Sequence, residues 1–130
     1  MKLLLDSHVV LWALENSHRL PEHIKDMILD ENNDIYVSVV SLWELSLKHK
    51  KNPEALIYDG NLIKEYCQKA GFYFLSLSVE NIYAFNKLDM SMHKDPFDQM
   101  LVAQSVSANM RLISHDNALQ RFGLGCIELF

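Results

Sequence analysis

The chain is 130 residues long, 49% hydrophobic and 22% charged, with a formal net charge of −5. Such proportions belong to an ordinary globular chain, and the length fits one domain, residues 1–130, able to bury most of its apolar surface without staples. The acidic balance excludes a non-specific nucleic-acid binder working through a basic face, but leaves room for an enzyme that holds cations in an acidic pocket.

No apolar run approaches the roughly 20 residues that span a bilayer. Asp6 and His8 interrupt the first apolar run, and no small-residue cleavage site comes after it. Neither a membrane span nor a signal peptide is expected, and the reading is a cytoplasmic chain. Cys67 and Cys126 are far apart and form no metal-type pair, so both read as reduced thiols.

In chain order, Lys2 to Leu5 reads as a buried strand of the kind a parallel sheet uses. Ser7, or Asp6 itself, can cap a helix from His8 to about Glu15. Pro21 suits a first helical position, with Ile24, Met27 and Ile28 at helical spacing to about Glu31. Ile35 to Ser38 is the second strand, rich in β-formers. Ser41 to Glu44 opens or lies early in a third helix that ends near Asn52-Pro53. Leu62, Ile63, Tyr66, Cys67 and Ala70 form a helical stripe that Gly71 stops. Tyr73 to Leu77 is a third strand, and Ser78 caps a helix carrying Ile82, Phe85 and Leu88. A polar loop from Asp89 to Lys94 precedes Asp95-Pro96, which starts a long helix to about Ala108. Arg111 to Ser114 is a fourth strand, Asn117 to Gln120 one helical turn, and Cys126 to Leu129 a last strand. Strands alternating with helices predict an α/β fold with a largely parallel sheet and helices on both faces.

Ligands of such sheets bind beyond the carboxyl ends of the strands. Asp6 comes directly after the first strand and Asp116 lies just past the fourth. Glu44 is early in the helix after the second strand, and Asp95 and Asp98 fall in the first turn of the helix before the fourth. Each has an ordinary explanation. Asp95 before Pro96 is a good helix cap, Ser41 with Glu44 matches a capping box, and Asp6 and Asp116 can each cap the helix that begins after them. Capping alone does not require these sites to cluster, whereas a shared pocket of carboxylates would repel itself without a cation. Mg²⁺ or Mn²⁺ prefers such oxygen ligands, and no His/Cys set with zinc spacing competes. The chemistry such a site supports is metal-assisted phosphodiester hydrolysis by one or two ions. With only four glycines the phosphate-loop motifs are effectively absent, as are GxSxG and any convincing Ser-His-Asp or Cys-His set.

The stretches LLLDSHVVLWAL, VSVVSLWELSLKHKK, HKDPFDQMLVAQS and LISHDNALQRFG together resemble the PIN-domain ribonucleases, within them the VapC-like toxins with a DPFD motif, over essentially the whole length. The resemblance implies a three-layer α/β/α domain that binds Mg²⁺ or Mn²⁺ and cleaves single-stranded RNA. It also implies a homodimer, and inhibition by a small antitoxin. Carried over, Asp6, Glu44, Asp98 and Asp116 are the catalytic metal-binding acids, Asp95 is a further acid of this branch, and Ser7 and Ser114 are hydroxyls close to the metal. Gln99 stands where the branch often has a basic residue, which removes that phosphate contact. Lys48, Lys50 and Lys51 read first as a solvated helix end, and Trp12 and Trp43 as core or dimer-interface residues. Of the histidines, only His115 is retained as a proton carrier. Three other readings are weighed. An RNA-processing nuclease without an antitoxin shares the chemistry. A protein-binding module would use the acids only as caps. An aspartyl-phosphate phosphatase would need an acid where His8 stands.

Overall fold

The computed structural model describes residues 1–89, 91 and 93–130. The predicted loop from Asp89 to Lys94 includes Met90 and Met92, which lie outside them. The strands are β1 (Lys2–Leu5), β2 (Asp34–Ser38), β3 (Tyr73–Leu75), β4 (Arg111–Ser114) and β5 (Ile127–Leu129). The helices are α1 (Ser7–Leu14), α2 (Glu22–Leu29), α3 (Val39–Lys51), α4 (Gly60–Lys69), α5 (Val79–Lys87) and α6 (Pro96–Ser107), with a 3₁₀ helix over Asn117–Phe122. No helix among the described residues is long and apolar enough to cross a membrane.

All four strand pairings are parallel, in the order β3-β2-β1-β4-β5. The Leu3-Leu4-Leu5 run is fully buried because β1 is central and covered on both faces. Leu3 and Leu5 join Ile35, Val37 and Ile113 against Val9 and Val10 of α1, Ile24 of α2, Leu45 of α3 and Ile63 and Cys67 of α4. Leu4 and Leu112 point the other way, onto Leu101 and Val102 of α6 and Leu119 of the 3₁₀ helix. The result is a three-layer α/β/α fold.

Several element ends differ from the sequence reading, each for a local reason. Asp6, not Ser7, caps α1, accepting from the amides of His8 and Val9. Ser38 caps α3 by accepting from the Val40 amide at 3.0 Å, which puts Ser41 inside the helix and removes the Ser41/Glu44 capping box. β3 ends at Leu75, two residues before the predicted end, where its pairing with Ser38 of β2 stops. α4 ends as expected. Gly71 takes φ +80°, the Phe72 amide reaches the Cys67 carbonyl, and the Gly71 amide reaches the Gln68 carbonyl.

The chain leaves β1 toward β2 and β3, then returns to place β4 on the other side of β1. A crevice therefore opens beyond the carboxyl ends of β1 and β4, where connections depart in opposite directions.

Candidate active site and metal centre

Register aligns the first two site residues. Leu5 of β1 pairs with Val37 on one side and Ile113 on the other, so Asp6 stands level with Ser38 and Ser114 at the carboxyl edge. A cleft of about 360 Å³ opens there, and its lining includes Asp6, Glu44, Asp95, Asp98 and Asp116. Four chain segments thus deliver every predicted acid to one place.

Each acid is held by named partners. Asp6 is 6% exposed. Its Oδ1 accepts the α1 cap bonds, while Oδ2 accepts from the Ser114 hydroxyl at 2.5 Å. Ser114 in turn accepts from the Asp116 amide at 3.0 Å. Glu44, equally buried, accepts from the Ser7 hydroxyl at 2.5 Å and pairs with Lys48 Nζ at 3.1 Å. Asp95 caps α6 through the Phe97 and Asp98 amides, and Asp116 caps the 3₁₀ helix through the Ala118 amide. Capping and clustering are therefore compatible: Asp6, Asp95 and Asp116 each cap a helix through one carboxylate oxygen and still line the cleft.

Electrostatically the cleft is under strain. Burial pushes the Asp6 carboxyl above its ordinary range, and the Glu44 charge pushes the same way, against the bonds from Ser114 and the Val9 amide. Asp98 is pushed up to about 8, first by burial, then by Asp95, with Asp116 and Asp6 adding to it. Carboxylates from sequence-distant segments crowd together, with Lys48 committed to Glu44 and Arg19 the other Lys or Arg in the lining. This donor set fits a hard divalent cation, which takes oxygen ligands and cancels the repulsion.

A family model for the PIN domain matches residues 3–124. The chain belongs to the PIN domain family. PIN domains are nucleases. The fold is similar to three solved structures at identities that speak for the fold alone. VapBC2 from Rickettsia felis, bound to a promoter DNA fragment, has 13% identity and a TM-score of 0.72, covering 100% of this chain and 99% of that one. DNA-bound VapBC from Salmonella typhimurium has 18% identity and a TM-score of 0.72, covering 98% and 97%. VapBC-1 from nontypeable Haemophilus influenzae has 18% identity and a TM-score of 0.73, covering 99% and 98%. No curated protein matches.

Several features of this PIN domain differ from the sequence reading or go beyond it. Lys48 turns into the cleft beside Glu44, whereas Lys50 and Lys51 line other surfaces. Arg19, in the loop after α1, joins the cleft rim with its guanidinium over the Trp12 ring, 5.7 Å from the centroid. Its only sequence signal is a basic residue shortly after the first helix. Trp12 packs against His115 and Phe130 at the cleft wall, and Trp43 lies on the surface against Phe97. Among the histidines, His115 does line the cleft, but its Nδ1 donates to the Phe130 carbonyl oxygen. A buried imidazole also meets two of the acids: His93, 7% exposed, has Nε2 3.1 Å from Asp98 Oδ2 and 3.9 Å from Asp116 Oδ2. His93 had a signal in the sequence, its place two residues before Asp95-Pro96, but only the fold brings it to Asp116.

Proposed function

We propose that this PIN domain is a Mg²⁺- or Mn²⁺-dependent endoribonuclease that hydrolyses phosphodiester bonds of single-stranded RNA, and that it is the toxin of a toxin–antitoxin pair. The observation that carries the reading is the meeting of Asp6, Glu44, Asp98 and Asp116 in one cleft at the sheet's switch point.

In this reading those four acids hold one or two cations, and Asp95 adds negative potential at the rim. A bound Mg²⁺ or Mn²⁺ neutralises charge developing on the phosphoryl oxygens and activates the attacking water. The chain's own groups do the rest. Ser114 and Ser7 hold Asp6 and Glu44 in fixed orientations, as hydrogen-bond donors behind ligating carboxylates do. Arg19 supplies a cation for a flanking phosphate, and Lys48, paired with Glu44 here, would be available to another if Glu44 held a cation. The crowding of Asp6 and Asp98 favours occupation, because ordering a dication there relieves repulsion already built into the fold.

Two features support the proposed partners. A groove of about 700 Å³ between α1, α2 and α4 is lined by Leu11, Leu14, Ile28, Leu29 and Phe72, an apolar seat for a small antitoxin. Trp43 on α3 and Val79 and Tyr83 on α5 are more than half exposed, apolar surface of the kind a homodimer covers.

The test is cleavage of labelled single-stranded RNA by the purified protein with Mg²⁺, with Mn²⁺ and with chelator. Cleavage with metal, lost in chelator and in Asp6→Asn and Asp98→Asn variants that still melt cooperatively, is expected. RNA left intact with both cations, or cleaved equally in chelator, would overturn the reading.

A further inference from the structure

We propose that the imidazole of His93, through Nε2, is a direct ligand of a divalent cation shared with Asp98 and Asp116, and that it tilts the site toward transition-metal ions over Mg²⁺. The inference rests on the metal-dependent reading above and adds a nitrogen ligand to it.

His93 is placed by three contacts. Its carbonyl accepts from the side-chain amide of Gln99, one turn into α6, which ties the preceding loop to the helix that carries Asp98. Its ring lies against Phe122, with centroids 5.8 Å apart. Nε2 faces Asp98 Oδ2 at 3.1 Å and Asp116 Oδ2 at 3.9 Å. The ring is therefore buried, tethered at its backbone and aimed at two carboxylates that reach it from α6 and from the loop after β4.

The spacing suits coordination. Ligand atoms about 2.1 Å from one ion in octahedral geometry lie roughly 3 Å apart when adjacent. Here the three donor atoms lie within 4.8 Å of one another, so small side-chain rotations close the set. The chemistry is selective. Mg²⁺ demands oxygen and gains little from an imidazole, whereas first-row transition ions bind nitrogen well. Neutral imidazole is the commonest side-chain ligand for such ions, and ligation replaces the hydrogen bond that Nε2 makes to Asp98.

Pulsed electron paramagnetic resonance of Mn²⁺ bound to the full chain tests this directly. The expected spectrum shows ¹⁴N coupling from a ligating imidazole, retained in His8→Gln and His115→Gln, the histidines that line the cleft, and absent in His93→Gln. Calorimetry should show His93→Gln losing at least about tenfold in Mn²⁺ affinity while Mg²⁺ affinity changes less than about twofold. If His93→Gln does not fold, the wild-type coupling and its survival in the other two variants decide the matter. Mn²⁺ binding without ¹⁴N coupling, or coupling that survives in His93→Gln, overturns this proposal and leaves the metal-dependent nuclease standing. A wild type that binds no Mn²⁺ at millimolar concentration overturns both.

Discussion

The Ser114 hydroxyl donates to Asp6 Oδ2 at 2.5 Å, across the central strand pair β1–β4. Ser114 Oγ also accepts from the Asp116 amide, so one small residue fixes two of the acids. Replacing it should loosen both without touching a ligand. Ser114→Ala is expected to lower Mn²⁺ affinity about 10- to 100-fold, the usual effect of removing a donor behind a ligating carboxylate. Titration calorimetry checks this, and an unchanged affinity would show that Asp6 needs no such support.

Asp98→Asn separates stability from activity. It removes the carboxyl most strongly crowded by its neighbours, so the metal-free protein should gain about 1 kcal/mol after allowance for solvent screening, a rise in Tm of roughly 2–5 °C. The same variant should lose most RNA cleavage, about 10²-fold or more. A fall in metal-free Tm would mean that the hydrogen bond from His93 outweighs the repulsion.

The pH dependence comes from the same group. Asp98 keeps its proton up to about 8 in the folded chain but releases it near 3.8 when unfolded. Between those values the folded state binds the extra proton, so stability is greatest at the acid end and falls as pH rises through about 8. Thermal melts in chelator at pH 5 and pH 8 should show that fall. Asp98→Asn should flatten it, and saturating divalent cation should reverse the loss at pH 8.

Gln104 carries a prediction about the scaffold. It is fully buried, accepts from the Ser38 hydroxyl at 2.6 Å and donates to Asn81 Oδ1 at 3.2 Å. It thereby ties α6, which bears Asp98, to the cap of α3, which bears Glu44. Gln104→Leu leaves the Ser38 hydroxyl proton without its acceptor in the core and removes one of two donors to Asn81 Oδ1, and should cost about 1–3 kcal/mol in urea unfolding. A cost under about 1 kcal/mol would mean that Ser38 and Asn81 find other partners.

Arg19 tests the route of the substrate. With Asp6→Asn to block turnover, adding Arg19→Ala should weaken single-stranded RNA binding. It should also reduce the slope of log affinity against log salt by about 0.7, the value of one phosphate contact. Fluorescence anisotropy over a salt series measures both, and an unchanged slope would place the RNA elsewhere.

Much of this was legible before the fold. The Leu3-Leu4-Leu5 run marked a buried strand because a strand covered on both faces tolerates unbroken apolar sequence. Asp6 stood out because an apolar run rarely carries a lone carboxylate without a partner. The alternation of elements was local enough to give the α/β class. Less legible were the helix starts. Ser38 and Ser41 both suit a cap, and what separates them is where pairing with β1 and β3 ends, which is a long-range fact.

What the sequence determined by itself is the set of chemical groups and their local setting: strand ends, caps, and acids held by apolar neighbours. These depend on propensity and periodicity over a few residues. The tertiary structure alone decided which groups meet. Ser114 lies 108 positions from Asp6 yet donates to it. His93 reaches Asp116, and Arg19 joins the lining of the acid cleft. No local pattern encodes such pairs, because they arise when parallel pairing of β1 with β4 brings two distant strand ends into register and the core fixes the helices around them.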